Sequence, residues 1–167
     1  PCSIMLVAAM NPCPCGYFGH PTHPCSCSAQ AVARYLGRVS GPLLDRLDLH
    51  VEVPPVDYAS LASSQPAESS ASIRYRVNAA RKLQQQRYNG TGITCNARLT
   101  SALLRESCPM TERAENLMHR AFDRLGLSAR AYDRILKVAR TLADLEGKEQ
   151  IERTHLREAA GYRDLQE

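Results

Sequence analysis

A chain of 167 residues with 44% hydrophobic residues, two Phe and no Trp is long enough to bury an aliphatic core. The net charge of +4 is uneven, because residues 1–57 carry three basic and four acidic side chains while residues 58–167 carry eighteen and thirteen. The apolar run at the start is too short to cross a membrane and lacks the charged flank of a secretory signal. We therefore expect a cytoplasmic protein with no membrane attachment, and a C-terminal fragment that starts at a strand.

Two segments predict buried strands. Residues 3–10, SIMLVAAM, form a continuous apolar run that is typical of a central strand covered on both faces, and Pro12 ends it. A second strand is predicted over Leu49–Val53. Asn11 thus lies at the carboxyl end of the first strand, the edge at which open α/β sheets bind ligands. The alternative is an Asn that only caps a turn.

Two Cys-x-Cys pairs with nine residues between them follow the first strand. Four thiolates at this spacing can surround one tetrahedral Zn²⁺, and four sulfur ligands leave no open position for catalysis, so the metal would order the loop. Free thiols, a disulfide or a redox role remain alternatives, because Cys-x-Cys is less diagnostic than Cys-x-x-Cys. The four candidate ligands are Cys13, Cys15, Cys25 and Cys27.

A short helix opened by Pro42 precedes the second strand and carries Arg46. Proline suits a first helical turn, where its missing N–H has no partner in any case. The guanidinium group of Arg46 then projects from the end of a packed element and can be offered to a phosphate, including one bound by a neighbouring subunit. A simple ion pair with Asp45 or Asp48 is the alternative that the local pattern leaves open.

Most of the remaining chain is predicted to be helical, with a Ser-rich linker at residues 58–72. The domains are expected at 1–57, which holds the two strands and the Cys-rich loop, and at 73–167, a helical bundle. Three helices are expected over Ala29–Val39, Ile73–Tyr88 and Ala97–Glu106. Three more are expected to begin at the caps Thr111, Ser128 and Thr154 and to end at Gly126, Gly147 and about Asp164.

The region between Glu68 and Glu106 contains seven Lys or Arg residues and no acidic residue. Such a stretch indicates a polyanion partner. A helix whose basic face is merely solvated is the alternative. The residues expected to contact nucleic acid are Arg74, Arg81, Lys82 and Arg87.

In combination, the motifs resemble those of the magnesium-chelatase-like AAA+ ATPases of the ComM/YifB type. The matching segments are AAMNPCPCG, RYLGRVSGPLLDRLDLHVEV, LSARAYDRILKVARTLADLEG and THLREAAGYR, in this order. The resemblance implies a mixed fold: the last strands of an AAA+ P-loop nucleotide-binding subdomain, an α/β remnant, followed by an all-α lid bundle.

The resemblance also implies roles for single residues. Asn11 matches the sensor-1 position, which orients the attacking water, and Arg46 matches the arginine finger that a neighbouring subunit inserts. Arg130 matches the sensor-2 arginine of the lid, a role that Arg134, one turn further on, can share or hold. The implied cofactor is ATP with Mg²⁺, and the implied assembly is a homo-oligomeric ring, expected to be a hexamer.

The sequence itself contains no phosphate loop, because its only Gly-Lys pair, Gly147-Lys148, is followed by Glu149. No apolar strand ends in an acidic Walker-B pair either. We therefore expect the nucleotide-binding cradle upstream, and no steady ATP turnover by residues 1–167 alone. The resemblance suggests a full-length DNA motor for branch migration in transformation and recombination. The alternatives are an ATPase that drives metal insertion into a tetrapyrrole, and a zinc-stapled helical module that binds nucleic acid or protein.

Overall fold

The computed structural model describes residues 4–56, 58–62 and 66–163. Within these ranges the chain forms α-helices and one 3₁₀ helix, Asn96–Arg98, and no strand. None of the described helices combines the length and the apolar character that crossing a membrane requires. The α-helices are α1 Ala29–Leu36, α2 Gly41–Leu44, α3 Tyr58–Ala62, α4 Ser70–Arg87, α5 Ser101–Ser107, α6 Glu112–Leu125, α7 Ala129–Leu145 and α8 Arg153–Gly161.

The chain divides into two compact units. The first comprises Pro1–Leu47 and Pro54–Val56, and the second comprises Asp48–Val53 and Asp57–Glu167. The expected domain limits, with a linker at residues 58–72, stay a prediction. Helix α3 and the first turn of α4 fall within that segment, and residues 63–65 of it lie outside the described residues.

The two predicted strands are absent from the described residues. The apolar side chains of residues 4–10 are mostly exposed, with Met5 at 88% and Val7 at 81%, and Val53 is 83% exposed. A strand exists only as part of a hydrogen-bonded ladder, and neither segment has a neighbouring strand here. The second segment belongs to the second unit and forms a backbone hydrogen bond within it instead, from His50 N to Tyr162 O at 2.8 Å. Ser3, the first residue of the predicted strand, lies outside the described residues.

Polar caps start the helices where the sequence predicts for α6 and α7. The Thr111 hydroxyl accepts a hydrogen bond from Ala114 N at 3.3 Å, and the Ser128 hydroxyl accepts one from Ala131 N at 3.1 Å. Gly126 ends α6 with a φ of 57°, a left-handed conformation that glycine adopts without steric penalty. These three boundaries are confirmed.

The predicted cap of the last helix is wrong, because Glu152 and not Thr154 is its N-cap. The backbone N–H of Glu152 donates to Nδ1 of His155 at 2.9 Å, which forms one half of a reciprocal capping box. The other ring nitrogen, Nε2, lies 3.0 Å from Glu146 Oε2. Because the buried imidazole is held by these two partners, α8 begins at Arg153, before the predicted cap Thr154. The predicted end near Asp164 lies outside the described residues.

Three other helix boundaries differ from the prediction. Helix α1 ends at Leu36, and α4 begins at Ser70 because the hydroxyl of Ser69 caps it through Ser72 N at 3.2 Å. The helix expected over Ala97–Glu106 is split, since Leu99 has an extended ψ of 133° between the 3₁₀ helix and α5. The helix opened by Pro42 is present as the four-residue α2.

Helix α7 is the centre of the second unit, where it packs against α4, the 3₁₀ helix, α5 and α8, while α6 packs against α8. Ala139 and Ala143 are fully buried along it, and small side chains at this spacing let neighbouring helices approach closely. The buried cluster consists of Tyr88, Leu99, Leu104, Cys108, Ala114, Met118, Ile135, Leu136, Ala139, Ala143, Ile151, Leu156 and Ala159. The bundle therefore has an aliphatic core, as the composition predicts.

Candidate metal centre and nucleotide-contacting residues

The four predicted cysteine ligands lie together in the first unit. Their sulfur atoms are all within 4.8 Å of one another. The Sγ of Cys13 lies 3.3 Å from that of Cys15 and 3.7 Å from that of Cys25, and the sulfurs of Cys15 and Cys25 are 3.6 Å apart. Four sulfurs bound tetrahedrally at the usual Zn–S length lie about 3.8 Å from each other. The cluster thus fits a metal of this size, with Cys27 as the fourth ligand.

The loop backbone supports this arrangement. Gly16 adopts a φ of 85°, and its N–H donates to Cys13 O at 3.1 Å, which closes a turn that brings the first two cysteines together. The N–H of Phe18 donates to Cys13 Sγ at 3.3 Å. Cys13 is fully buried, so this backbone N–H gives its sulfur a hydrogen-bond donor where water does not reach.

The cysteines affect one another's ionisation. Hydrogen bonds from the backbone at Tyr17 and Ser26 lower the pKa of Cys15 to about 5. At Cys25 the backbone N–H of Cys27 lowers the pKa, but desolvation and the neighbouring thiols outweigh it and raise the pKa to about 12. Crowded thiols cannot all ionise without a cation among them. A bound divalent metal would supply that charge and displace the remaining protons.

We predict that the purified chain binds one Zn²⁺ and that the Cys13→Ser/Cys27→Ser variant loses it. Two thiolates removed from a four-sulfur site leave too few ligands for tight binding. Bound metal, measured by elemental analysis after dialysis, checks this. The control is Cys95→Ser, which removes a cysteine that lies outside the cluster. Unchanged metal content in the double variant would contradict the site.

Asn11 and Arg46 both lie in the first unit, and both side chains are exposed. Asn11 directly follows the apolar run of residues 4–10. Arg46 follows α2, and its Nη1 donates to the backbone carbonyl of Pro42 at 2.9 Å. The hydrogen bond that orients this guanidinium group therefore comes from its own helix.

Arg130 and Arg134 lie in the first two turns of α7, in the second unit. Arg130 is exposed, whereas the side chain of Arg134 is only 16% exposed and its Nε lies 3.6 Å from Asp48 Oδ1. Of the two, Arg130 is the more accessible to a ligand. The roles that the resemblance implies for Asn11, Arg46 and either Arg130 or Arg134 stay predictions.

The predicted nucleic-acid residues differ in their surroundings. Arg74, Arg81 and Lys82 are exposed on α4. Arg87, at the end of the same helix, forms a two-pronged ion pair with the buried carboxylate of Asp144, with Nη1 3.0 Å from Oδ2. This hydrogen bond to Asp144 raises the pKa of Arg87 above its usual value. The guanidinium group of Arg87 is thus engaged inside the protein.

Sequence analysis missed a buried polar cluster around Asp144. Its carboxylate accepts hydrogen bonds from Arg87, from Nδ2 of Asn96 at 2.9 Å and from Nε of Arg140 at 3.1 Å. Both Asp144 and Arg140 are essentially inaccessible to solvent. Their separation of four residues on one helix was the only signal in the sequence, and it is equally typical of an exposed ion pair.

Arg140 also forms hydrogen bonds to the turn that follows its own helix, α7. Its Nη1 donates to Glu149 O at 2.6 Å and its Nη2 donates to Lys148 O at 2.5 Å, in the turn that leads to α8. Burial lowers the pKa of Arg140, although the carboxylate of Asp144 opposes that shift. The cluster is therefore a structural clamp that joins α4, the 3₁₀ helix, α7 and the following turn.

Two protein-family profiles match the chain. The profile described as "Magnesium chelatase, subunit ChlI C-terminal" matches residues 67–163, and the profile "Magnesium chelatase, subunit ChlI" matches residues 1–61. The chain belongs to the magnesium chelatase ChlI family. This membership confirms the resemblance to magnesium-chelatase-like AAA+ proteins, and the described helices of the second unit correspond to the C-terminal helical region of that family.

Two curated proteins are similar to this chain along nearly its whole length. Competence protein ComM of Haemophilus influenzae is 44% identical over 164 residues, which is 98% of this chain and 31% of that protein. The uncharacterized protein YifB of Escherichia coli is 42% identical over 165 residues, again 98% of this chain and 31% of that protein. The chain thus spans about a third of the length of these relatives.

Proposed function

We propose that this chain is part of a ring-forming AAA+ ATPase that acts on DNA, with Arg46 as the arginine finger, Asn11 as sensor 1 and Arg130 as sensor 2. The observation that carries the proposal is the position of Arg46. Its guanidinium group is exposed at the end of α2 and is oriented by the Pro42 carbonyl. The full-length protein would supply the nucleotide-binding cradle with ATP and Mg²⁺.

The setting of Arg46 suits a finger. Pro42 fixes the backbone of the first turn, and the hydrogen bond to its carbonyl favours one orientation of the guanidinium group. An arginine has five N–H donors, so several of them can serve a phosphate. Phosphoryl transfer is catalysed mainly by positioning and by positive charge near the transferred group. A cation held in advance loses little entropy when the neighbouring subunit binds nucleotide.

The lid arginine is placed at a helix N-terminus. Arg130 is the second residue of α7, whose first turn is capped by Ser128. The partial positive charge of a helix N-terminus adds to that of the guanidinium group when a phosphate binds there. Arg134 remains a second candidate for this role, although its side chain faces Asp48. Binding and loss of the γ-phosphate would then shift the lid.

A structural zinc ion is part of the proposal. The loop that follows Asn11 brings four cysteine sulfurs close together, and of these four cysteines only Cys13 is fully buried. A metal at that position would fix the loop next to the sensor residue and would take no part in hydrolysis. Assembly into a ring, expected to be a hexamer, follows from the need to insert Arg46 into a neighbouring site.

The DNA substrate is inferred from the similarity to Competence protein ComM and from the exposed basic residues of α4, Arg74, Arg81 and Lys82. We predict that DNA raises the ATP hydrolysis rate of the full-length protein several-fold, because a DNA motor couples ATP hydrolysis to movement along bound DNA. Steady-state phosphate release with and without duplex, forked and single-stranded DNA measures this. An unchanged hydrolysis rate with every form of DNA would refute the proposed DNA motor. It would favour metal insertion, the activity that the name magnesium chelatase suggests.

A further inference from the structure

A basic cleft lies between α6 and α8 in the second unit. It has a volume of about 310 Å³ and is lined by Arg113, Asn116, Leu117, Arg120 and Arg153. Three of its five lining residues are arginines, and the cleft contains neither an acidic nor an aromatic side chain. Neither the predicted nucleic-acid residues on α4 nor the predicted phosphate contacts at Arg46 and Arg130 belong to it.

Backbone pairing holds the two sides of the cleft in register. Met110 and Ile151 form an isolated parallel bridge, in which Thr111 N donates to Ile151 O at 3.0 Å and Ile151 N donates to Pro109 O at 2.8 Å. Arg113 follows the bridge by three residues and Arg153 by two. Ile151 is fully buried, so the bridge is shielded from water. The two arginines are therefore mounted at the starts of helices that are tied together.

The charges of the cleft are not neutralised locally. Arg113, Arg120 and Arg153 are exposed, and none of them forms an ion pair within the part of the chain that the structure describes. Arg113 and Arg120 are seven residues apart, which places them on one stripe of α6. The acidic Asp123, three residues after Arg120, does not line the cleft and forms an ion pair with His119, with Nδ1 to Oδ2 at 3.0 Å. The stripe thus presents positive charge to solvent.

The acidic residue nearest in sequence to Arg153 is also engaged elsewhere. Glu152 caps α8 and its carboxylate lies 3.2 Å from Lys148 Nζ. Three guanidinium groups that line one concave surface and form no ion pair among the described residues repel each other, and an anion between them relieves that repulsion. The planar guanidinium group fits the oxygens of a phosphate in a two-pronged geometry.

From this arrangement we infer that the α6–α8 cleft binds the phosphate backbone of DNA, a contact that rests on the proposed DNA substrate and adds a second surface to α4. The amide of Asn116 supplies a neutral donor beside the three cations. The cleft has no aromatic side chain on which a base could stack, so it holds the backbone and does not read the sequence. Its contribution to affinity is electrostatic and falls as salt rises.

The test is a DNA-binding titration of the 167-residue chain by fluorescence anisotropy, with two labelled duplexes of unrelated sequence. Removing three phosphate contacts in Arg113→Gln/Arg120→Gln/Arg153→Gln should weaken binding about tenfold or more and reduce the salt slope by about 2 to 3. The control is Arg34→Gln/Arg38→Gln, which removes two exposed arginines from the first unit and is compared with the cleft pair Arg113→Gln/Arg120→Gln. Its affinity should change by less than about threefold, because distant exposed charges are screened.

The outcomes separate this site from the proposed function. If the cleft variant and the control weaken binding equally, only the net charge matters and the site is refuted. Polyglutamate that competes with DNA as strongly per charge would also refute it, since an acidic peptide would then be the better description. A cleft variant that loses binding while DNA leaves full-length ATP hydrolysis unchanged would support the site and contradict the motor. The reverse pattern would retain the motor and remove the site.

Discussion

Replacement of Arg46 by alanine is expected to lower the ATP hydrolysis rate of the full-length protein by about 10³-fold or more, the range that arginine fingers contribute in other phosphoryl-transfer enzymes. The physical reason is that the guanidinium group stabilises charge that develops only in the transition state. Nucleotide affinity should change far less, because the finger contributes little to the ground state. Phosphate release and equilibrium ATP binding, measured on the same preparation, separate the two effects.

Mixing experiments test whether Arg46 acts across a subunit boundary. Subunits with Arg46→Ala, mixed with subunits that lack the phosphate loop, should regain part of the activity, because each supplies what its neighbour lacks. The matched control is Arg38→Ala, which removes another exposed arginine of the first unit and should leave the rate nearly unchanged. Arg46→Lys keeps the charge without the planar fork and should rescue poorly. Full ATP hydrolysis by a ring made of Arg46→Ala subunits would refute the role of Arg46 as an arginine finger.

Replacement of Asp144 by alanine is expected to reduce the free energy of unfolding of the chain by about 3–5 kcal/mol, the usual penalty for breaking a buried ion pair from one side. The change would leave Arg140 fully buried without its carboxylate and would remove the acceptor of Arg87 and Asn96. Chemical denaturation followed by circular dichroism measures the effect. A variant already unfolded without denaturant would agree with the prediction.

Two further variants distinguish the buried cluster around Asp144 from an ordinary surface ion pair. Asp144→Asn retains one carbonyl oxygen as an acceptor and should lose less stability than Asp144→Ala. Arg76→Ala removes an exposed ion pair, in which Arg76 Nη2 lies 2.8 Å from Glu68 Oε2, and should cost no more than about 1 kcal/mol. Equal, small losses at Asp144 and Arg76 would mean that the buried cluster contributes nothing beyond a surface pair.

The helical half of the molecule could be predicted well from the sequence because its signals are local. Thr111, Ser128 and Gly126 act through the two or three residues beside them, and the structure has them in their expected roles. The four cysteines were also predicted as a group, and their sulfurs are indeed close together. Zinc itself stays a prediction.

Predictions that depended on distant partners were less successful. The face of α4 expected from Val77, Ala80 and Leu83 is only partly correct, since Val77 is 43% and Leu83 37% exposed while Gln84 is buried. Gln84 Oε1 accepts the N–H of Asn96 at 3.3 Å, a contact between residues twelve apart that no helical period encodes. The prediction of Thr154 as an N-cap was wrong for a similar reason. The ring of His155 contacts Glu146 and Glu152, and Glu152 is the N-cap instead.

The sequence by itself determined the helical pattern of the second unit, its aliphatic core, the cysteine cluster and the family. The strands that it suggests at residues 3–10 and 49–53 do not form in the described residues, since a strand requires a neighbour that a one-dimensional pattern cannot provide. Only the tertiary structure decided which charges are buried with partners, as at Arg140 and Asp144, and which face solvent, as in the α6–α8 cleft. Burial depends on how helices pack, so residues of the same type and local spacing can have opposite environments.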